Sequence, residues 1–366
     1  MLLIIVGVSA FKIWIDILTP KQAYLLGELS RRLESRGHYV FRTTRRYKEV
    51  NEVLDMKGIS AVTVGQHGGG TLERKLSSSA RRILALTSII DKLKPDLSVA
   101  FASPEAARVS FGLRIPHFTI NDSPHSKAVA LLTVPLSTKL FAPEVISIKE
   151  WIKLGASLGN IIQYNALDPL VWLKSFVPSP SVLHDLGLDR IRPILVFRLE
   201  EAFAAYLLDK VSWKESVVTP IISHLLEKYG DKIQIVALPR YRQQISVAKK
   251  LFHNRVIIPD KAIDGPSLIF FSSVFVGAGG TMTAEAAMLG VPAISCFPAE
   301  PTIVEKYLIK EKLVSRITNP VSALRKIIQI LNDIEIIRKS SELRAKELVS
   351  KMEDPIEIII KHIEAI

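Results

Sequence analysis

A single cysteine, Cys296, stands among 366 residues. One thiol excludes an internal disulfide and any thiolate cluster around zinc. It lies in VPAISCF, an apolar run that reads as a buried strand, and is expected to be an inert buried group rather than a nucleophile. Long apolar runs are missing as well. None reaches the ~18 residues that a membrane-spanning helix requires. The apolar opening MLLIIVGVSA is soon interrupted by Lys12 and Asp16. No basic residue precedes it and no cleavage context follows, so residues 1–10 read as an extension before the first strand rather than a signal peptide, and a cytoplasmic protein is expected. No His/Asp/Glu grouping has metal-ligand spacing, so no protein metal site is expected. A Gly-x-Ser-x-Gly elbow is absent, which argues against a Ser-His-Asp hydrolase. No helix-turn-helix, zinc-finger or aromatic RNA-binding signature is present either, which leaves nucleic acid a weak option.

Acidic residues are scarce relative to basic ones, 36 against 48, for a net charge of +12. The imbalance is uneven: 23 Lys+Arg face 14 Asp+Glu up to residue 175 (+9), and 25 face 22 beyond it (+3). Much of the excess sits in RRLESRGHYVFRTTRRYK (31–48). The plain reading is a solvated basic face. The functional readings are an acidic acceptor or weak peripheral contact with a membrane surface.

An apolar fraction of 48% suits a globular protein with continuous buried strands. Short β-rich runs alternate with longer amphipathic ones. KIWIDIL (12–18), HYVFRT (38–43), SAVTVG (60–65), DLSVAFA (96–102), PHFTIN (116–121) and KLFAPEV (139–145) read as strands in the first half. After SFVPSPS (175–181) the rhythm restarts with PILVFRL (193–199), KIQIVALP (232–239), RVIIPD (255–260), SVFVG (273–277) and PAISCF (292–297). From about Val321 the chain is helical. Strand, helix and strand at this spacing imply right-handed crossovers and parallel sheets covered on both faces. Two α/β domains are expected, over residues 11–175 and 180–366.

The stretch VFVGAGGTMTAEAAMLGVPAIS (274–295) joins a strand to a helix through Gly277, Gly279 and Gly280. It is not a P-loop, since no Lys-Ser or Lys-Thr follows. It is also a poor dinucleotide fingerprint, because Met282 occupies the sixth position. Glycines permit positive φ and close approach of a ligand. With Thr281 as N-cap, the free N–H groups of the helix start favour an anion such as a diphosphate. Glu285 then falls one place beyond the capping-box position. It is either a solvated side chain near a helix start or an acceptor for a ribose diol.

These residues carry a family resemblance. GGTMTAEAAMLGVPAIS, in the second of two α/β domains, resembles the nucleotide-binding part of GT-B proteins, which include glycosyltransferases and the non-hydrolysing UDP-N-acetylglucosamine 2-epimerases. The whole pattern, from WIDILTPKQ (14–22) through HGGGT (67–71), ASPEAARV (102–109) and NDSPH (121–125), is similar to an uncharacterised, mainly archaeal family of GT-B-like proteins. The resemblance implies two Rossmann-like domains facing a cleft, with a C-terminal helix crossing back to the first. It also implies a nucleotide-sugar substrate whose diphosphate meets Gly279, Gly280 and Thr281 and whose ribose meets Glu285, with no tightly bound cofactor. A Mg²⁺ carried on the diphosphate stays open.

Other candidates lie after strands, where open α/β sheets bind ligands. DILTPKQ (16–22) offers Asp16, Thr19, Lys21 and Gln22. Thr19 and Pro20 also suit a helix start, which leaves Lys21 for a ligand. HGGGT offers His67, as a base, a phosphate donor or an idle surface group. NDSPH offers Asp122 and His125, a carboxylate and imidazole suited to deprotonating an acceptor hydroxyl, although Asn-Asp-Ser-Pro is good turn chemistry too. Ser103, Pro104 and Glu105 look like a helix start, with Arg108 a turn beyond. FRLEEAF (197–203) offers Arg198, Glu200 and Glu201, and LPRYRQQ (238–244) offers Arg240 and Arg242, where arginine suits bidentate phosphate binding. The leading function is a nucleotide-sugar-dependent glycosyltransferase acting on an unknown acceptor. A UDP-sugar 2-epimerase-like isomerase and a non-catalytic nucleotide-sugar-binding protein are the alternatives.

Overall fold

The first strands are buried on both faces, and this decides the architecture. KIWIDI (Lys12–Ile17, β1) is buried at five of six positions and LSVAF (Leu97–Phe101, β4) at all five. Such strands need a helical layer on each side, which parallel βαβ units supply. In the computed structural model, residues 10–200 and 216–366 are described, and the chain divides into two compact units. One extends to Val171 and takes in Glu353–Ile366; the other is Trp172–Met352.

The sheet of the first unit adds β2 (Tyr39–Arg46), β3 (Val62–Gln66), β5 (His117–Ile120), β6 (Lys139–Pro143) and β7 (Ile161–Tyr164). All pair in parallel in the order β3-β2-β1-β4-β5-β6-β7. The order reverses between β1 and β4, with Ile13 beside Val40 on one side and Leu97 on the other. The helix Pro20–Ser35 begins as its sequence indicates: Thr19 Oγ1 accepts the Gln22 N–H at 3.4 Å, Pro20 occupies the first turn, and Ala23, Leu26, Leu29 and Leu33 are buried.

The last helix, Pro355–Ile363, completes this unit. Ile356, Ile359, Ile360 and Ile363 are fully buried, and burial of such a side chain contributes about 1.5–3 kcal/mol. Its acidic side meets the basic run of the opening helix. Arg32 reaches Asp354 at 2.9 Å and Glu357 at 3.1 Å, and Arg36 reaches Glu357 and Glu364 at 2.5 and 3.2 Å. Arg31 pairs with Glu28 and Arg42 with Glu34. Four arginines of residues 31–48 are therefore held in internal ion pairs, so the run is not simply a solvated basic face.

The second unit holds β8 (Ile194–Arg198), β9 (Gln234–Leu238), β10 (Val274–Gly277), β11 (Ala293–Ser295) and β12 (Val314–Arg316), parallel in the order β12-β11-β10-β8-β9 among the described residues. Its order reverses between β8 and β10. RVIIPD departs from expectation. It contributes one isolated bridge, Ile257 to Val236, because Pro259 and the Asp260–Asp264 turn end the pairing at once. Cys296 is buried as expected, and burial, helped by the nearby Glu200 charge, pushes its thiol up to about 12.

Candidate functional site

Each sheet presents all its strand ends along one edge, and each sheet's order reversal brings particular side chains together there. In the first unit the reversal lies between β1 and β4. Lys21, the second residue of the helix after β1, sits 4.3 Å from the Phe101 ring at the end of β4. Its ammonium reaches Asp122 at 2.5 Å and Asp168 at 2.6 Å. Asp122 also accepts the Ser123 hydroxyl at 2.7 Å, and Asp168 accepts the Tyr164 hydroxyl at 2.6 Å. The cluster is largely withdrawn from water: Asp168 is 2% exposed, Tyr164 0%.

Burial and charge pull these groups apart. Burial raises both aspartates, but Lys21 and its hydrogen bond outweigh it at Asp122, which titrates below its ordinary value. At Asp168 burial prevails over Lys21 and is reinforced by the Asp122 charge, so this carboxyl is raised. Burial would lower Lys21, yet the two carboxylates hold it above its usual value. His125, at the exposed rim, is held below its ordinary value by desolvation and by the Lys21 charge, against the pull of Asp122. It is therefore neutral near pH 7. Two carboxyls shifted in opposite directions, beside a neutral imidazole, can hold and move a proton.

A second network lies beneath. Arg82 grips Asp16 with both terminal nitrogens at 2.9 and 2.6 Å, and Thr43 and Ser103 each donate to that carboxylate at 2.7 Å. Every group in it is buried. Asp16 is thus a strand residue that holds β1, β2 and the start of the Pro104–Gly112 helix together, not a loop residue facing a ligand. Gln22 also turns inward, accepting from Leu18 N–H and donating to the Phe101 carbonyl. Arg108 is exposed on the Pro104–Gly112 helix.

In the second unit the glycine turn occupies the reversal between β8 and β10, where Ala278 N–H bonds the Arg198 carbonyl at 2.9 Å. Gly279 and Gly280 have φ of +96° and +97°, a region closed to most side chains. A Cβ at Gly279 would also lie 2.5 Å from the Phe297 ring, whereas one at Gly280 would meet the Arg240 guanidinium at 3.2 Å. Gly279 is thus required by the turn itself, and Gly280 lies under a cation. The helix is Thr281–Met288 and its N-cap is Gly280, so Thr281 is the first helical residue rather than the cap. Gly280 makes the junction with φ +97° and ψ −175°, a conformation open essentially to glycine alone. Glu285 is 5% exposed rather than solvated and accepts the Trp172 indole N–H at 2.9 Å.

The remaining candidates fall elsewhere. Arg198 donates to the carbonyls of Leu238 and Pro239, fastening the end of β8 to the chain leaving β9. Glu200 is fully buried, accepting from Ser216 Oγ and Val217 N–H. Glu201 lies outside the described residues. His67 stacks on Tyr47 at 4.6 Å, and its Nδ1 accepts the Gly69 N–H. It follows β3, four strand positions from β5, or roughly 19 Å at the usual spacing. The fold therefore joins Lys21 to Asp122 and His125 but leaves His67 at the far edge. Lys21, expected to meet a ligand anion, is instead bound to two carboxylates. Among the described residues no group of three or more His, Cys, Asp or Glu could hold a metal ion, and no helix is long and apolar enough to cross a membrane.

The family described as protein of unknown function DUF354 matches residues 11–366. This chain belongs to the DUF354 family. A relative of similar length, Uncharacterized protein MJ0665 of Methanocaldococcus jannaschii, is 28% identical over 357 residues, covering 96% of this chain and 97% of that one. Among solved structures, the UDP co-structure of S. aureus MnaA superposes with a TM-score of 0.73 at 15% identity, covering 97% of this chain and 96% of the other. The UDP-GlcNAc 2-epimerase of Neisseria meningitidis bound to UDP-GlcNAc gives 0.73 at 16%, covering 96% and 99%. Anabaena Alr3699/HepE in complex with UDP-glucose gives 0.64 at 14%, covering 97% and 100%. At these identities the likeness establishes the fold: this DUF354 chain has the two parallel-sheet, Rossmann-like units of GT-B proteins.

Proposed function

We propose that the protein is a nucleotide-sugar-dependent glycosyltransferase of GT-B type. The observation that carries the reading is the turn Gly279–Gly280–Thr281 at the sheet reversal, with a helix start behind it and Arg240 over Gly280. Backbone N–H groups, the helix dipole and a guanidinium suit a diphosphate and its charge as it departs. Glu285, buried and oriented by Trp172, suits a ribose diol. In the first unit, His125 is the base for an acceptor hydroxyl. Asp122 is too well stabilised as an anion to be a strong base, and its part is to steady the imidazolium that forms. The proteins of similar fold that were captured with UDP, UDP-GlcNAc or UDP-glucose support a uridine nucleotide as the first to try.

A second reading, 2-epimerisation of the same class of ligand, is favoured by the Lys21 cluster. In that reading Asp168, the carboxyl that burial raises, exchanges a proton with a carbon, which must be reprotonated on the opposite face for inversion. Calorimetry with UDP, GDP and dTDP and their sugars, with and without Mg²⁺, tests both. Binding of one nucleotide, weakened at least tenfold by Arg240→Ala and Glu285→Ala, supports the common part. Epimerised UDP-sugar formed without any acceptor selects the second reading. Absence of nucleotide binding refutes both and leaves a non-catalytic role.

A further inference from the structure

Arg31, Arg32, Arg36 and Arg42 have acidic partners, but other cations of the first unit have none among the described residues. Arg74 and Arg81 project from the helix Leu72–Leu93, and Arg46, at the end of β2, stands beside Gln66 of β3. All three are exposed, and none has a carboxylate partner among the described residues. The same helix carries three leucines in water: Leu72, Leu76 and Leu84 are 67%, 73% and 72% exposed. The residues that this helix buries are Arg82, Leu86 and Ile90.

Spacing arranges these residues. Leu72, Leu76, exposed Ala80 and Leu84 recur every four positions in a row that slants about 40° around the helix at each step; Arg74 and Arg81, seven apart, lie about 60–80° beyond Leu84. The one acidic side chain in these first turns, Glu73, accepts the Ser77 hydroxyl at 2.9 Å. An outward face with leucine on one side and arginine on the other matches an interfacial helix, whose apolar side chains enter below the headgroups while its cations meet phosphates. A second copy across a twofold axis would set arginine against arginine. Leucine, with no π-face for bases, does not suit nucleic acid. The row also starts directly after HGGGT, at the edge of the sheet that carries Lys21, Asp122 and His125.

We propose that the outward face of the Leu72–Leu93 helix docks on an anionic lipid bilayer. The proposal is independent of the nucleotide-sugar reading. Its test is co-sedimentation of the full chain with phosphatidylcholine vesicles, with or without about one third phosphatidylglycerol. The expected result is partition onto the anionic vesicles at low salt, at least about tenfold weaker on neutral ones and falling as salt rises. Leu76→Glu/Leu84→Glu and Arg74→Glu/Arg81→Glu should each weaken it on the order of tenfold. All four positions are exposed; unaltered thermal melting checks the fold, and the milder Leu76→Ser/Leu84→Ser pair replaces any variant that melts early. No partition of the parent protein, equal partition onto neutral vesicles, or partition unchanged by both pairs overturns the proposal. So does a dimer, by light scattering, that the leucine pair dissociates.

Discussion

His117 offers a quantitative test of the first unit. It is 1% exposed at the start of β5, with Nδ1 2.7 Å from Ser98 Oγ and Nε2 3.2 Å from Thr119 Oγ1. Burial lowers its pKa from 6.5 to about 4, against a weaker upward pull from Asp16. The folded unit thus prefers the neutral ring, while the unfolded chain takes up a proton near 6.5. The stability tied to this preference is complete above pH 6.5 and is lost as pH falls toward 4. Linkage puts the loss at about 2 kcal/mol by about pH 5 and about 3 by about pH 4. The assay is urea denaturation of the parent and of His117→Asn from about pH 7.5 to about pH 5, with exchange mass spectrometry on β4–β5 peptides assigning the transition to this unit. Asparagine keeps a polar partner for Ser98 and cannot titrate. It should cost about 1–2 kcal/mol at the upper pH, and the gap should close or invert at the lower one. Parallel curves for the two proteins would refute the reasoning.

Arg82→Leu leaves Asp16 buried without its partner and should destabilise the first unit by about 3–5 kcal/mol; Asp16→Asn in the same chain should restore part of that, as read by thermal denaturation. Gly279→Ala combines a strained φ with the Phe297 contact. It should lower stability by at least about 1–2 kcal/mol, and Phe297→Ala should relieve only part, because the backbone strain remains. Asp122→Asn should reduce turnover by about 10²–10⁴-fold while nucleotide affinity, measured by calorimetry, stays within a factor of about two. If affinity falls instead, the division of roles between the units is wrong.

What the sequence disclosed follows from how far apart the interacting residues lie. Thr19-Pro20, the alternation of apolar runs and the glycine turn are local signals, and the Pro20 helix start and ten of the expected strands appear in place, while the cap after the glycine turn is Gly280 rather than Thr281. Ile161–Tyr164 and Val314–Arg316, which escaped notice, are no shorter than Ala293–Ser295, but that strand sits in a longer apolar run, whereas Gln163 and Asn165 interrupt the first and Ser315 and Arg316 the second. With the first of these went Tyr164 and Asp168, half of the Lys21 cluster; nothing around LDP at 167–169 marks a carboxylate that a lysine 147 positions earlier will reach. Arg82 was equally hidden, one arginine of an Arg-Arg pair on a helix, until the fold set it over Asp16. Arg198 illustrates the converse: a cation after a strand looks available until neighbouring carbonyls take it.

The ion-paired closing helix bears on how the protein is made. Both ends of the first unit's chain are separated by the whole of the second, residues 172–352, so the ribosome must synthesise an entire second unit before the first can be finished. Until Pro355–Ile363 emerges, the seat of four buried isoleucines stands open, Arg36 lacks its acids and Arg32 keeps only Glu28. The strands of the first unit are made first, but the second unit is complete at residue 352, before the first unit's closing helix is made, and can finish folding first, reversing the usual order from N- to C-terminus. A nascent chain stalled near residue 352 would therefore carry a complete second unit tethered to a first unit whose apolar seat is open, and release of residues 353–366 would act as the latch.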